Sequence, residues 1–254
     1  MKTSNHLLRR LTAALLAAVL ALSIALPVFA SDDGDTIYIN SVSDLLSLAG
    51  SCAYDQWSVG KTVILQKDLS LEGMLWEPIP SFSGQFKGNG HTISDLTITG
   101  QYSPAGLFGI VEEQGSIESL SVRGVVSVSD SADTTTGGIV GINHGTLINC
   151  QFTGVVTGDS EVGGIVGRNE SEGTIDHSTA RAIVTGKSST GGIAGYNLGA
   201  ITGCTNVGSI NTEYPEASLD TDGFTAKMVD YINNKMAAAA DDATNSVTNV
   251  ATDT

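Results

Sequence analysis

Short apolar runs rich in β-branched residues alternate with Gly and Asn turns through the second half of the chain, and the order of these runs recurs at a nearly constant interval. In one such unit the runs fall at residues 139–140, 146–150 and 154–157. Runs of this length bounded by turn residues are typical of β-strands, because a helix needs a longer stretch with apolar positions three and four apart. The pattern therefore predicts three short strands in each unit.

One motif marks the start of each unit. Gly-Gly-Ile-Val-Gly-x-Asn stands at 137–143, returns at 163–169, and returns as Gly-Gly-Ile-Ala-Gly-Tyr-Asn at 191–197, with spacings of 26 and 28 residues. A degenerate copy stands at 105–111. Repeats of this period indicate a solenoid, in which each unit covers the apolar face of its neighbours. Equivalent strands should stack in parallel, and the crossover rule for parallel strands favours right-handed winding.

Aligning the units on their turn glycines predicts columns, meaning one residue per coil at the same place. The inner columns are Ile117, Leu147, Ile175 and Ile201; Leu120, Cys150, Ser178 and Cys204; and Val126, Val156, Val184 and Ile210. Asn143, Asn169 and Asn197 form a further column, expected at a corner because Asn tolerates the left-handed conformation and can bond along the stack. We expect this structural role for the three Asn residues, with ligand binding as the alternative.

The run at 137–156, Gly-Gly-Ile-Val-Gly-x-Asn-x-Gly-Thr-x-x-Asn-Cys-x-x-x-Gly-x-Val, resembles the GLUG repeat of bacterial secreted proteins. Runs at 76–80 and 82–93 resemble the coil that leads into such repeats. The resemblance implies a β-solenoid in an extracellular setting, as in adhesin-like surface proteins and beside the protease domain of the immunoglobulin A1 metallopeptidases, and it implies no catalytic residue. The third copy departs from the pattern by an insertion at 170–172, which should bulge outward and leave the coil intact.

The predicted fold is therefore all-β: a right-handed parallel β-helix of about six coils, with three short strands per coil and short capping helices at both ends. The solenoid and its N-terminal cap should occupy residues 31–211, with the GLUG-like repeats at 105–211. Residues 41–49 predict a helix capped by Ser41, with Asp44 in its first turn, over the open N-terminal end.

The segment at 212–240 should form the C-terminal cap. Within it, residues 222–240 predict an amphipathic helix that docks on the last coil, and a partner-binding helix is the alternative. The apolar face of this helix consists of Phe224, Met228, Tyr231 and Ile232. Residues 241–254 are polar and are predicted to be a disordered tail.

Residues 1–30 have the pattern of a secretory signal peptide. Lys2, Arg9 and Arg10 precede an apolar run at 11–26, and small residues stand near position 30. The run is short for a membrane span, which needs about 20 apolar residues. We therefore expect a secreted or extracellular protein, either free or associated with a cell surface. We expect no membrane span in the mature chain.

Acidic residues dominate the charge of the chain. The formal net charge is −15, from 12 Lys and Arg against 27 Asp and Glu. Removing the three basic residues of the signal changes this to 9 − 27 = −18. Such a charge argues against nucleic acid and anionic membranes as partners. The Gly-Gly-x-Gly-x-Asp signature of Ca²⁺-binding solenoids is absent from the repeats, so we expect a solvated acidic surface and no metal or other cofactor.

Two tryptophans and three cysteines are further candidates. Trp57 and Trp76 are weak candidates for sugar binding, although packing in the first coils is the favoured interpretation. Cys150 and Cys204 share a column two coils apart, about 9.6 Å, which exceeds the ~7 Å limit for a disulfide. We expect both to be small buried hydrophobes, and the redox state of Cys52 stays open.

Catalytic motifs are not evident in the mature sequence. The histidines do not fall at metal-ligand spacing, and neither Gly-x-Ser-x-Gly nor His-Glu-x-x-His occurs. Asp68 and Asp95 are the nearest acidic candidates, and the three repeat-region arginines (123, 168 and 181) are not expected to share a column. The sequence predicts a non-catalytic solenoid for adhesion or for binding a surface glycan or an extracellular protein. A polysaccharide lyase or hydrolase, or a structural fragment of a larger surface protein, is the alternative.

Overall fold

Parallel strands stacked in about six coils form the fold, as the sequence predicts. The structure is a computed structural model that describes residues 35–53, 56–128 and 134–211. The predicted signal peptide at 1–30, the C-terminal helix and the tail lie outside the described residues. Within the described part, 22 strands and one helix are present.

Four parallel sheets share these strands, and one helix interrupts the first coil. The first sheet contains, in order, β1 (Thr36–Ile39), β2 (Thr62–Leu65), β5 (Gln85–Lys87), β8 (Ser116–Glu118), β12 (Thr146–Ile148), β16 (Thr174–Asp176) and β20 (Ala200–Thr202). The second sheet contains β3 (Leu69–Ser70), β6 (Thr92–Gly100), β9 (Ser121–Val128), β13 (Gln151–Thr157), β17 (Thr179–Thr185), β21 (Thr205–Asn206) and β22 (Ser209–Ile210). The third sheet contains β4 (Ile79–Phe82), β7 (Phe108–Val111), β11 (Val140–Asn143), β15 (Val166–Asn169) and β19 (Ala194–Asn197). A short sheet contains β10 (Thr135–Gly137), β14 (Glu161–Gly163) and β18 (Thr190–Gly191).

The register of the predicted columns is confirmed. Leu147 pairs with Ile117 on one side and Ile175 on the other, and Val156 pairs with Val126 and Val184 in the same way. All of these side chains are buried. The strand period of two sends alternate residues inward, so identical spacing in each unit keeps one apolar set on the core side.

The short sheet is a difference from the predicted three strands per coil, since it gives three of the coils a fourth strand. Thr136 and Val162 on these strands are buried and extend the core at this corner. A bend at residues 164–165 separates β14 from β15, and a Cβ on Gly163 just before it would overlap the carbonyl oxygen of Val166. Only glycine fits this close approach of the backbone, and the sequence pattern did not predict the strand that precedes the bend.

The helix α1 (Val42–Ser51) lies between β1 and β2 and confirms the predicted N-terminal helix. Ser41 Oγ accepts a hydrogen bond from Asp44 N at 3.2 Å, and the Asp44 carboxylate accepts one from Asn40 N at 2.9 Å. Leu45 and Leu48 are buried in the core. The strand β1 before the helix was not predicted, and its pairing with β2 adds one strand to the first sheet.

Aromatic side chains fill the early coils. The rings of Phe82, Phe86 and Phe108 pack with centroids 5.4–6.3 Å apart, and all three are fully buried. This cluster lies in the coils next to α1. The part of the chain that the structure describes contains no helix of the length and apolarity needed to cross a membrane.

Candidate functional site: a polar groove at one corner of the solenoid

An open groove lies where the third sheet turns into the first, and its volume is about 410 Å³. We call it the corner groove. It is lined by Gln56, Val59, Ser81, Ser83, Glu112, Glu113, Gln114 and His144. The sequence did not identify these residues as a site, because they come from four separate segments of the chain.

A fixed turn at residues 56–60 forms one wall of the corner groove. Ser58 is buried, and its Oγ accepts a hydrogen bond from Ser83 N at 2.9 Å. A Cβ on Gly84 would lie 2.7 Å from the carbonyl oxygens of Ser58 and Lys61, so the turn packs directly on this backbone. Gln56 and Val59 are thereby held against the solenoid with their side chains exposed.

The other wall and the floor come from one column of corner residues. Glu112 N donates to Phe82 O at 2.9 Å, and His144 N donates to Val111 O at 2.8 Å, so Ser83, Glu112 and His144 follow one another in successive coils. Neighbouring strands lie about 4.8 Å apart, so these side chains are close neighbours. Ser81 Oγ donates to Glu112 Oε1 at 2.8 Å and orients this carboxylate.

Turn length decides which residues protrude at this corner. Glu113 and Gln114 stand between Glu112 and the turn glycine, whereas His144 directly precedes Gly145. The next coil has a long turn again, with Ser171 and Glu172 exposed and Gly173 N donating to Glu170 O at 2.8 Å. The pairing of β12 with β16 continues across this insertion, which confirms that it bulges outward and leaves the coil intact.

His144 therefore lies on a short turn between two longer acidic turns. A hydrogen bond from the Ser171 side chain lowers the pKa of Glu172 below its ordinary value, and the nearby His144 contributes to the same lowering. Within residues 35–53, 56–128 and 134–211, no three His, Cys, Asp or Glu side chains are grouped closely enough to hold a metal ion. The corner groove offers carboxylates, an imidazole, amides and hydroxyls, a set suited to hydrogen bonding with a polar ligand.

The two tryptophans lie in different environments. Trp57 is half-buried on the turn that forms the groove wall, packs against the core, and has Lys61 Nζ 5.3 Å from its ring centroid. Trp76 is 2% exposed, and its Nε1 donates to Leu107 O at 3.1 Å. A ring buried to this extent has no face for a sugar, so Trp76 packs in the core, which was the favoured interpretation of the sequence.

Asn143, Asn169 and Asn197 form a continuous amide column. Asn143 Nδ2 donates to Asn169 Oδ1 at 2.7 Å, and Asn169 Nδ2 donates to Asn197 Oδ1 at 2.8 Å. Each amide also donates to a carbonyl oxygen in the turn that follows, for example Asn143 Nδ2 to Gly145 O at 3.1 Å. Asn143 and Asn169 are fully buried and are not accessible to a ligand.

The conformational reason given for this column is wrong. None of these three Asn residues has a positive φ, and one column of left-handed residues lies instead at another corner. They are Ser119 (φ 54°), Asn149 (φ 52°), His177 (φ 47°) and Gly203 (φ 63°). The Asn side chains at 143, 169 and 197 instead satisfy backbone groups in a tight turn that has an ordinary backbone conformation.

Two of the three cysteines are buried, and all three are free thiols. Burial raises the pKa of Cys150 to about 12 and that of Cys52 to about 11. Cys204 is only partly buried, which corrects the expectation of a buried side chain. Ser178 occupies the middle of the Cys150–Cys204 column and donates from its backbone N to Cys204 Sγ at 3.4 Å.

The acidic candidates Asp68 and Asp95 are held in separate hydrogen-bond networks. Asp68 Oδ1 accepts from Thr92 N at 2.9 Å and lies 3.1 Å from His91 Nδ1. These contacts, the backbone bond first, lower the pKa of Asp68. Asp95 Oδ2 accepts from the hydroxyls of Ser70 and Ser94 at 2.6 and 2.8 Å.

The prediction that the three repeat-region arginines do not share a column is wrong for two of them. Arg123 and Arg181 both pair with Thr153, so they share one column two coils apart on the second sheet. Arg168 lies on the third sheet, where its guanidinium contacts Glu161 and Glu170 and stacks 4.9 Å from the Tyr196 ring centroid. Arg168 is therefore already paired by the protein itself.

Comparison with known proteins confirms the resemblance stated for the sequence. Residues 158–185 match the family described as the GLUG motif. The chain is 34% identical over 155 residues to Halomucin of Haloquadratum walsbyi, covering 56% of this chain. It is 30% identical over 137 residues to a provisionally named Gly-rich membrane protein of Evansella cellulosilytica, covering 39% of this chain. The chain spans only 2% and 16% of the lengths of these two relatives.

One solved structure is similar over much of its length. It is titled as a provisionally assigned immunoglobulin A1 protease from Bacteroides ovatus, with a TM-score of 0.45 and 16% sequence identity. The similarity covers 72% of this chain and 79% of the other.

Proposed function

We propose that the chain is the solenoid of a secreted, surface-associated protein, and that it binds an extracellular glycan or protein without catalysing a reaction. The GLUG motif at 158–185 and the relatives named Halomucin and Gly-rich membrane protein support a surface role. The corner groove is the observation that supports the binding role, because hydrogen-bonding side chains from separate coils converge there on an open volume.

The groove chemistry favours a hydroxyl-rich ligand. The Glu112 carboxylate accepts hydrogen bonds, while the Gln56 and Gln114 amides both donate and accept. Val59 is 43% exposed and gives the wall an apolar edge beside Trp57. A few convergent polar groups next to an apolar edge is the usual composition of a small-molecule or sugar site.

A binding role at the corner groove also agrees with the hydrogen bonds and ion pairs of the other charged residues considered as site candidates. Asp68 and Asp95 are committed to hydrogen bonds within the early coils, and Arg168 to two glutamates. Repeated outward positions in successive coils give the solenoid surfaces on which contacts recur about every 4.8 Å. An elongated ligand with regularly spaced groups suits such a surface.

The test is binding of residues 31–254 to a broad glycan array, with two variants. Glu112→Gln keeps the shape of the side chain but removes the charge from the groove, and Glu118→Gln makes the same change on the exposed outer face of β8. We expect wild type and Glu118→Gln to bind the same glycan, and Glu112→Gln to bind it about tenfold or more weakly.

Three results would contradict parts of this proposal. Equal binding by both variants would place the ligand outside the corner groove. An array without any hit would exclude a glycan among those displayed and leave a protein partner as the ligand class. Release of reducing ends or unsaturated sugar from a polysaccharide would show an enzyme and overturn the non-catalytic assignment.

A further inference from the structure

The second sheet carries almost no negative charge in a strongly acidic chain. Its strands from β9 onward contain no Asp or Glu, and Asp95 in β6 is the one carboxylate among its described strands. The first sheet, by contrast, carries Glu118 and Asp176, and the short sheet carries Glu161. The outer face of the second sheet therefore repels an anion less than these two sheets do.

Two arginines lie on this face without an ionic partner. Arg123 in β9 and Arg181 in β17 are exposed, and Thr153 of β13 lies between them in the same column. In the part of the chain that the structure describes, neither guanidinium forms an ion pair, whereas Arg168 and Lys187 are paired with carboxylates. Each guanidinium has five N–H donors in a planar fork, so both arginines can bind a carboxylate at two points.

Neutral hydrogen-bonding side chains surround the two arginines. A second column stands two residues earlier on the same three strands, so it shares the outer face of the sheet. Within it, Gln151 Nε2 donates to Thr153 Oγ1 at 3.3 Å, which leaves the hydroxyl hydrogen of Thr153 free to donate. We call this surface the arginine strip; it consists of Ser121, Arg123, Gln151, Thr153, Thr179 and Arg181.

Asp95 bounds the arginine strip on the side of the N-terminal coils. It lies at the bulge of β6, in the coil before Arg123. Its Oδ2 accepts hydrogen bonds from the hydroxyls of Ser70 and Ser94, and no ion pair joins it to Arg123. A docked anion should therefore lie over β9, β13 and β17, away from this carboxylate.

The separation of the two arginines favours a polymer of low charge density. Arg123 and Arg181 lie two coils apart, which is about 9.6 Å at a strand spacing of about 4.8 Å. Nucleic acid carries a phosphate about every 3.4 Å along each strand, and the net charge of −15 repels so dense a polyanion. A polysaccharide in which acidic and neutral sugars alternate has widely spaced carboxylates, with hydroxyl groups between them.

We propose that the arginine strip binds a linear anionic polysaccharide whose acidic sugars alternate with neutral ones. The polymer lies along the stacking direction of the coils. Arg123 and Arg181 each bind one carboxylate at two points, and Gln151 and Thr153 form hydrogen bonds with the hydroxyls of the neutral sugar between them. The strip lies on the second sheet, whereas the corner groove lies between the third and first sheets, so this inference does not rest on the groove.

The experiment measures binding of residues 31–254 to two immobilised polymers at low and at physiological salt. Hyaluronan has carboxylates that alternate with neutral sugars, and polygalacturonate has a carboxylate on every sugar. We expect wild type to bind hyaluronan more tightly than polygalacturonate, and to bind both more weakly as salt is added.

Two double variants that remove the same charge test the position of the site. Arg123→Gln with Arg181→Gln should bind hyaluronan about tenfold or more weakly than wild type. Lys67→Gln with Lys87→Gln makes the same change in net charge at exposed positions outside the arginine strip and should bind like wild type. Arg123→Lys with Arg181→Lys keeps the charge but loses the planar fork, so its affinity should fall between those of wild type and the arginine-to-glutamine variant. Unchanged urea unfolding midpoints show that the variants are folded.

Four outcomes would overturn the proposal. Wild type that does not bind hyaluronan, or an arginine-to-glutamine variant that binds it fully, would exclude the arginine strip as a site for this polymer. Equal losses in the arginine and lysine variants would show that net charge alone determines binding. Tighter binding of polygalacturonate would contradict the match to alternating carboxylates. Tighter arginine-dependent binding of single-stranded DNA would assign the strip to a nucleic acid.

Discussion

Single side chains at the corners hold successive coils together by hydrogen bonds. The amide column of Asn143, Asn169 and Asn197 connects three coils, and each amide also satisfies a carbonyl oxygen of its own turn. Buried polar groups are costly when they lose a partner, so the middle member of the column should matter most. The repeat in the sequence predicts the column itself, but its hydrogen bonds depend on rotamers that a sequence pattern does not specify.

Replacing Asn169 by Ala should lower the free energy of unfolding by about 2–3 kcal/mol, because it removes the buried hydrogen bonds that this amide makes with Asn143, Gly173 O and Asn197. Asn197→Ala is the matched control at the partly exposed end of the column and should cost about 1 kcal/mol. Urea unfolding of the two variants and wild type measures both values. Equal losses would contradict the view that burial sets the cost.

The left-handed column at Ser119, Asn149, His177 and Gly203 predicts an unusual response at position 149. Asn149→Gly should leave the free energy of unfolding within a few tenths of a kcal/mol of wild type, since glycine adopts φ near 52° without strain. Asn149→Val should cost about 1–2 kcal/mol because a β-branched residue is disfavoured there. Thermal unfolding compares the two variants, and an equal effect of both would argue against backbone strain as the cause.

At the scale of secondary-structure elements, the sequence predicts α1 well and β1 poorly. A capping serine, an acidic first turn and an apolar face all favour the helix locally. The four-residue strand β1 has no repeat partner in the sequence, and it is stabilised by pairing with β2, which only the folded coil brings beside it. The fourth strand of the later coils was missed for a related reason, since Gly-rich segments there resemble turns.

The N-terminal cap of α1 can be tested with two serine variants. Ser41→Ala removes the oxygen that accepts from Asp44 N and should cost about 1 kcal/mol of unfolding free energy. Ser43→Ala makes the same chemical change at an exposed position inside the helix and should be neutral or slightly stabilising. Urea denaturation distinguishes them, and a similar loss for both would show that the cap is not the relevant interaction.

Asp44 adds a pH dependence to the same cap. The hydrogen bond from Asn40 N, followed by that from Ser41, lowers the pKa of Asp44 below its ordinary value of 3.8. A lowered folded-state pKa means that the stabilisation is present above the ordinary pKa and is lost as the pH falls through the lowered one. The unfolding midpoint of Asp44→Asn should therefore lie below that of wild type at about pH 7, and the gap should shrink by about pH 2. A constant gap would exclude the carboxylate charge as its source.

At the scale of the whole solenoid, the repeat spacing in the sequence is sufficient to predict most of the fold. Column positions, parallel pairing and the coil count follow from spacings of 26 and 28 residues. The corner groove does not follow from them, because it depends on how a turn at 56–60 sits against residues 81–83, 112–114 and 144. A sequence repeat predicts the features that all coils have in common. The corner groove is formed instead by turns whose length and sequence differ from one coil to the next.

Removal of one complete period should leave a shorter solenoid that still folds. Deleting residues 158–185 joins Thr157 to Gly186, and because Thr157 pairs with Thr185 the strand register is kept. Asn143 then meets Asn197 in the amide column. The urea m-value should fall by roughly one sixth, in proportion to the residues removed. Deleting only residues 158–171 shifts the register and should abolish cooperative unfolding; a cooperative transition in that variant would contradict the column model.

The direction of the ladder hydrogen bonds has a mechanical consequence. They run along the stacking direction, from the coil of β1 to the coil of β20, so tension between these ends pulls on the bonds of one coil before the next. Such loading peels strands apart instead of shearing a whole sheet at once. Each detached coil of 26 to 28 residues would release on the order of 90 Å of extended chain. If a pulling force acted on such a solenoid at a cell surface, the coils would unfold one after another. Each step would dissipate mechanical work and lengthen the chain between the surface and a bound partner, so the partner would stay bound for longer.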